Sequence, residues 1–335
     1  MKPRKKPRIF VTQPVADSAL KRLRAVANLT VNPDGGRILP KSKLAAAARE
    51  HDLLFVLLHD TVDRSVLAAN RKLRAVASMT VTPDNIDVVE ATKRGIPVTV
   101  IPPVVAEATA DIAFGLMLAV ARRMIEGDRL ARAGGYPGAQ SNQLAGAFVY
   151  GKTLGLVGGK GRIGRAVARR ARGFSMRVLY CGPHRLTREE EQALGMSFVS
   201  FEQLLEQSDF VSLHPPLRPH TRHMIDGRAL ALMRPTAFLI NTSRGPIVDE
   251  AALVRALKAR QIAGAGLDVF EREPKITPAL LKMPNVVLTP HLGSAVAELR
   301  EQMANIVVDN ILALLDGRTP PNCANPQVLE AKRKS

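Results

Sequence analysis

The sequence predicts an α/β fold in two parts, each a doubly wound parallel sheet, and three observations carry that prediction. Short apolar runs alternate with helical patterns from start to finish, which is the grammar of strand-helix-strand units. At 335 residues the chain exceeds what one hydrophobic core usually holds, so two domains are expected. A glycine-rich turn near mid-chain, set between a strand pattern and a helix pattern, opens a second strand-helix series.

Taken in order, Arg8 to Thr12 reads as a strand, Ala16 to Ala27 as a helix and Asp52 to Leu58 as a second strand. LRAVANLTVNPDG from Leu23 and LRAVASMTVTPDN from Leu73 agree at nine of thirteen positions, and one helix-to-strand junction used twice in one sheet would explain the echo. Ile101, Pro102 and Pro103 then mark a boundary. The run EATADIAFGLMLAVARR, from Glu107 to Arg123, is a helix apolar over so much of its circumference that something must cover it. After a Gly-rich stretch from Gly134 to Gly151, the second series runs from Thr153 to about His291. A final helix, Ala295 to Leu315, returns the chain to the first domain. The expected division is 1–103 with 293–335 for one domain and 104–292 for a domain inserted into it.

Composition excludes several classes. Hydrophobic residues at 46% and charged residues at 23% are ordinary for a globular chain and exclude global disorder. Cys181 and Cys323 lie far apart with no Cys/His clustering, so neither a disulfide framework nor a metal site is expected, and a reducing cytoplasm fits. The longest apolar stretch, Ile112 to Ala121, is about half a bilayer crossing, and MKPRKKPRIF lacks the apolar core of a signal peptide, so no membrane span is expected.

The net charge of +18 raises the question of nucleic acid. Part of it sits in basic tails: Lys2, Arg4, Lys5, Lys6 and Arg8 at one end, Lys332, Arg333 and Lys334 at the other. The rest is scattered, as at Arg169, Arg170 and Arg172, without aromatic residues to stack bases; aromatic content is 4% and Trp is absent. The charge therefore reads as solubility plus attraction for a small anion, with nucleic acid the minority reading.

Residues 153–172, TLGLVGGKGRIGRAVARRAR, hold the turn in question. Gly159, Gly161 and Gly164 satisfy G-x-G-x-x-G, with Arg162 and Ile163 between the last two. The first glycine permits a tight turn, the second lets the backbone approach a pyrophosphate, and the third lets the helix pack close to the sheet. The strand before and the helix after raise dinucleotide binding well above an ordinary turn. The following strand, Met176 to Cys181, ends where an NAD-selective site places an acid on the ribose 2′-hydroxyl. Here that position is Gly182, followed by His184, Arg185 and Arg188. NADP is therefore expected in preference to NAD, with Arg185 as the main 2′-phosphate contact and His184 as a second.

Three later segments, LINTSRGPIVDE, AGLDVFEREP and VVLTPHLGS, each set a chemically competent residue beside a strand end: Arg244, Glu273 and His291. Together with EATADIAFGLMLAVARR, the glycine turn and SDFVSLHPPL, they resemble the D-isomer-specific 2-hydroxyacid dehydrogenase family over nearly the whole chain. The PPNCANP ending is similar to the glyoxylate/hydroxypyruvate reductase branch. The resemblance implies a Rossmann nucleotide-binding domain inserted into a smaller flavodoxin-like substrate domain, a two-fold homodimer built around the apolar helix, and hinge closure between the domains.

It also implies roles that the chemistry supports. Arg244 would bind the keto-acid oxygens and polarise the carbonyl. His291 would donate the proton as hydride arrives. Glu273 would hydrogen-bond the imidazole, orient it and favour its protonated form. By the same resemblance Asp268 meets the nicotinamide carboxamide, and Thr242, Ser243 and His214 line the nicotinamide and its ribose. Gly293 and Ser294 shape the histidine's loop, and Thr109 is a weaker cofactor candidate.

The chain also departs from the pattern. Relatives bind the substrate carboxylate with backbone amides of a loop carrying glycine where this chain has Thr82, followed by Pro83, which removes a donor; the contact then falls to Val81 and Thr82. The glycine turn, Gly158-Gly159-Lys160-Gly161, carries one residue more than the usual family form and is expected to absorb it as a small bulge. The region Gly134 to Gly146 keeps Tyr136 as its only aromatic. The leading expectation is NAD(P)H-dependent reduction of a small 2-keto acid such as glyoxylate or hydroxypyruvate. Phosphite oxidation is a second, on the likeness of SAVAELR and CANP to phosphite dehydrogenases, although those carry lysine where this chain has Val81. A nucleotide-sensing corepressor is a third.

Overall fold

The computed structural model describes residues 6–334, with side chains through Glu330. Lys2, Arg4 and Lys5 of the amino-terminal tail lie outside the described residues. Lys332, Arg333 and Lys334 fall on a helix, Gln327–Lys334, and their side chains also lie outside that description.

The chain divides into two compact units, Met1–Val104 with Ala295–Ser335, and Val105–Ser294. The first is built on β1 (Arg8–Val11), β2 (Asn28–Val31), β3 (Leu53–Val56), β4 (Ala75–Ser78) and β5 (Val98–Thr99). These pair in parallel in the order β2-β1-β3-β4-β5, a flavodoxin-like arrangement. The closing helix Ala297–Leu315 belongs to this unit, where Arg22 on helix Asp17–Val26 donates to Asn305 and Asp309. Asn325 ties the chain end to β5, accepting from the Val98 N–H and donating to the Ile96 carbonyl.

Two readings of this unit are corrected. The segment around Asp52 to Leu58 is the third strand, because Asn28–Val31 pairs with β1 at the sheet edge; its half-exposed residues give only a faint apolar signal. The LRAV echo is not one junction used twice. Leu23 to Val26 end a helix that buries Leu20 and Leu23, whereas Ala75 and Val76 lie in β4, a fully buried strand between β3 and β5. Burial on both faces overrides local propensity in the second copy.

The second unit holds β6 (Thr153–Val157), β7 (Arg177–Cys181), β8 (Met196–Phe198), β9 (Phe210–Leu213), β10 (Phe238–Asn241), β11 (Gly264–Leu267) and β12 (Val286–Leu288). All pair in parallel in the order β12-β11-β10-β9-β6-β7-β8, so the order reverses at β6. The apolar helix spans Ala106–Ala121, and its own unit covers most of it: Ala110, Phe114, Leu116, Met117 and Val120 are buried in one core with residues of helix Arg162–Gly173 and of β6, β7 and β10. Gly266 in β11 permits the close approach, since a Cβ there would stand 2.9 Å from the Leu116 Cβ. Among the described residues no helix is long and apolar enough to cross a membrane.

Candidate active site

Six strands of the second sheet end level with one another. Cys181, Val157, Leu213, Asn241, Leu267 and Leu288 are register partners across β7, β6, β9, β10, β11 and β12, and each is the last residue of its strand. Every site residue predicted from the second series lies within a few positions beyond this row, apart from Thr109 on the apolar helix. Ligands of open parallel sheets bind at this carboxyl edge, at the point where strand order reverses.

The glycine turn leaves β6 at that point. The Gly158 N–H donates to the Cys181 carbonyl at 2.9 Å, and the Gly161 N–H donates to the Gly158 carbonyl at 3.0 Å, closing a tight turn with Gly159 and Lys160 at its corner. Gly158 enters this turn at φ +79°, a left-handed conformation that glycine adopts without strain. Gly159 is pressed against β7 and Gly164 against Gly159: added Cβ atoms would lie 2.5 Å from the Tyr180 Cβ and 2.6 Å from the Gly159 Cα. Helix Arg162–Gly173 starts at Gly161 without a side-chain cap, whereas Thr187, Ser200, Asp226 and Asp249 cap the later helices that start at Arg188, Phe201, Gly227 and Glu250. First-turn N–H groups are thus directed where a phosphate would sit. Arg162 is exposed and Ile163 packs against the core.

Beyond β7, His184 and Arg185 are both exposed. The Arg185 fork closes on Glu191, Nε to Oε1 at 2.8 Å and Nη2 to Oε2 at 2.9 Å, with the guanidinium 5.7 Å from the Phe198 ring centroid. Tyr180 adds a hydroxyl to Glu191 at 2.6 Å, and these donors, Arg185 foremost, hold the Glu191 carboxyl down to about 2.

The β9 and β10 ends carry two buried polar atoms with no partner among the described residues, His214 Nδ1 and Thr242 Oγ1. Burial pushes the His214 imidazole down to about 3, so it is neutral, with Nε2 2.9 Å from the Ser212 hydroxyl. Orphaned polar atoms at this depth mark a place for a polar ligand. Ser243 donates its hydroxyl to the Pro215 carbonyl and its N–H is accepted by Asn241 Oδ1 at 3.1 Å. The residues present therefore fit a dinucleotide along β6, β9 and β10.

Arg244 follows in extended backbone, its carbonyl accepting from Asn241 Nδ2 at 3.1 Å and its Nη1 donating to the Ser243 carbonyl at 2.9 Å. Gly245 is packed against the next loop: a Cβ there would lie 1.8 Å from the Phe270 carbonyl oxygen. That loop leads to Glu273, whose Oε1 accepts the Phe270 N–H at 2.9 Å while Oε2 meets His291 Nδ1 at 2.9 Å. His291 sits at φ +55°, a left-handed conformation held by its N–H on the Asp268 carbonyl at 2.8 Å. Asp268, 1% exposed, accepts from the Thr289 hydroxyl and the Leu292 N–H on one oxygen and from the Gly293 N–H on the other. Burial raises its pKa against those donors. Thr109 donates to the Gly293 carbonyl at 3.2 Å, so it supports the histidine loop.

The structure thus joins Glu273 to His291 directly and sets Arg244, Asp268 and Gly293 on the adjoining strand ends. The pair resembles an orienting carboxylate behind a proton-transfer imidazole. In the first unit, the loop after β4 is shaped by Thr80, whose hydroxyl donates to the Thr82 carbonyl at 2.7 Å, and the Thr82 hydroxyl donates to Asp84 at 2.7 Å. Val81 and Thr82 are half-buried there. Residues that sequence reasoning missed are Glu250 and Glu271, two carboxylates behind the Glu273 loop; the acids in VDE and FERE were visible, but nothing in their spacing tells that they meet.

An open sheet binding a dinucleotide at its carboxyl edge, with a histidine-carboxylate pair beside it, defines an oxidoreductase of the nicotinamide-dependent class. The chain belongs to the D-isomer-specific 2-hydroxyacid dehydrogenase family: residues 114–293 match the family's NAD binding domain. It is 49% identical to a glyoxylate reductase of Korarchaeum cryptofilum, over 98% of each chain. It is 46% identical to a glyoxylate reductase of Thermococcus litoralis, over 97% of this chain and 98% of the relative. Among solved structures it superposes with TM-score 0.81 and 33% identity on an NADPH-dependent glyoxylate/hydroxypyruvate reductase from Sinorhizobium meliloti in complex with NADP and malonate, covering 96% of this chain and 97% of that one.

Proposed function

We propose that this chain reduces a small 2-keto acid of the glyoxylate or hydroxypyruvate type to the D-2-hydroxy acid with NAD(P)H. The observation that carries the reading is the 2.9 Å contact between His291 and Glu273 at the edge of the dinucleotide-binding sheet. When bound, the cofactor supplies hydride from its nicotinamide. Arg244 holds the keto-acid oxygens with its fork and polarises the carbonyl. His291 gives the Nε2 proton to the carbonyl oxygen and becomes neutral, while its Nδ1–H stays on the ring and donates to Glu273 Oε2, which holds the imidazole through the transfer. Asp268 fixes the His291 loop and faces the carboxamide; Thr242 and His214 take up the nicotinamide end, and Gly159, Gly161, Arg162 and Gly164 the pyrophosphate. Val81 and Thr82 are the residues of the first unit proposed to contact the substrate carboxylate.

NADP is preferred over NAD in this reading, because no acid stands at Gly182 and the adjoining loop is cationic. A cytoplasmic enzyme is supported by Cys181 and Cys323, both free thiols, with burial pushing Cys181 up to about 12. A homodimer is supported by the segment after the apolar helix, where Met124, Tyr136, Phe148 and Tyr150 are 56, 65, 76 and 66% exposed. Following NADPH oxidation with glyoxylate, and NAD reduction with phosphite, tests the activity. Turnover with glyoxylate is expected; turnover with phosphite alone would overturn the reading.

A further inference from the structure

We infer that Lys160, at the corner of the glycine turn, is the ligand that recognises the 2′-phosphate of NADP in this chain. The inference rests on the cofactor preference proposed above and moves its main contact away from Arg185.

The turn decides where Lys160 points. Gly159 is buried against Tyr180, so the corner of the turn leans on β7, and Lys160 at that corner is exposed. Its Nζ donates to the Arg185 carbonyl at 3.1 Å. The ammonium therefore bridges the glycine turn and the loop following Gly182, the position from which an acid would contact the ribose 2′-hydroxyl in an NAD-selective site. An ammonium has three donors, so one can stay on the carbonyl while others meet a phosphate oxygen.

The turn is also braced from below. Arg165 Nε donates to the Lys160 carbonyl at 3.0 Å, and Arg165 Nη2 pairs with Glu190 at 2.7 Å. Glu190 is engaged further by the Thr187 N–H at 3.0 Å. Arg165 is the direct hydrogen-bond partner of Glu190, and Lys160 adds only a longer-range attraction to it, so the ammonium keeps donors for an incoming anion.

Arg185 is differently placed. Both prongs of its fork are on Glu191, which Tyr180 anchors, and its face lies over Phe198. Glu191 already neutralises that guanidinium and fixes its orientation, so a phosphate gains less charge there than at Lys160, whose ammonium is bonded only to a carbonyl. Arg185 then acts through its backbone, as the carbonyl that aims Lys160. His184, exposed on the same loop, is the second contact.

Calorimetric titration with adenosine 2′,5′-bisphosphate and with 5′-AMP reads the 2′-phosphate alone, without turnover. The full-length wild type is expected to bind the bisphosphate at least roughly 10-fold more tightly than AMP, in keeping with a hydrogen bond to a charged group. K160M should bring that ratio close to one with AMP affinity unchanged, K160R should keep most of it, and R185M should keep it within about 3-fold. A ratio that survives in K160M and collapses in R185M would overturn the assignment while leaving NADP preference standing. A wild type that binds both probes equally would overturn the NADP preference and, with it, the role of Lys160.

Discussion

Glu250 and Glu271 hold each other through their backbones: the Glu271 N–H donates to Glu250 Oε1 at 2.7 Å, and the Glu250 N–H donates to Glu271 Oε2 at 3.3 Å. The second Glu250 oxygen accepts the Thr277 hydroxyl, so the segment carrying Glu273 is pinned on both sides by one buried carboxylate. His223 Nε2 meets the remaining Glu271 oxygen at 2.9 Å. This is the frame on which the proposed proton donor's orienting acid is mounted.

Removing that frame should loosen the acid without touching substrate. E250A is expected to lose about 1–3 kcal/mol of stability from the donors left unanswered, and kcat about 10- to 100-fold as Glu273 drifts. E250Q, which keeps one acceptor, should recover part of both. Thermal unfolding beside steady-state kinetics checks this; an E250A protein with wild-type kcat would show that the loop holds itself.

The packing of Gly245 on Phe270 makes a steric prediction. A methyl group 1.8 Å from a carbonyl oxygen cannot be accommodated, so G245A must separate the Arg244 and Glu273 loops. Destabilisation of at least about 1–3 kcal/mol is expected, with a fall in kcat/KM for the keto acid. G173A, at a position where an added Cβ meets nothing within 4 Å, is the control. Equal behaviour of the two variants would contradict the packing.

Much of this arrangement is legible in the sequence, and the rest is hidden for physical reasons. The G-x-G-x-x-G turn and the strand ends are local patterns, so Gly159, Arg244 and His291 could be placed beside strand ends from the sequence, while the family resemblance singled out Arg244, Glu273 and His291 as a set. Partner choice is not local. Arg185 looks like an anion ligand until the fold brings Glu191 to it, and Lys160 looks like a spare residue until the turn aims it at Arg185. The edge strand Asn28–Val31 was missed because half-exposed residues carry little apolar signal, and LRAV adopts two conformations because burial in β4 outweighs its helical preference.

His214 gives a pH dependence with a definite sign. Its folded pKa is about 3, below the ordinary value of about 6.5, so the unfolded chain binds a proton that the folded chain refuses. Stability from this group is fully present above pH 6.5 and falls as pH drops toward 3, by about 2 kcal/mol at pH 5. H214Q should flatten the decline in Tm between pH 7 and 5 in the cofactor-free protein. An unchanged slope would mean that the imidazole is not buried in its neutral form.

The exposed aromatics after the apolar helix predict association. Light scattering of the wild type at micromolar concentration should give twice the 36.3 kDa chain mass. F148D with Y150D should shift it to the monomer with the fold retained, whereas a monomeric wild type would remove the dimer.

His291, held by Glu273, is the proposed proton donor in keto-acid reduction. Its most direct test is single-turnover NADPH oxidation by H291A with glyoxylate, paired with the NADPH dissociation constant. A rate lower by about 10²- to 10⁴-fold with cofactor affinity unchanged is the expected result; a wild-type rate in H291A would contradict it.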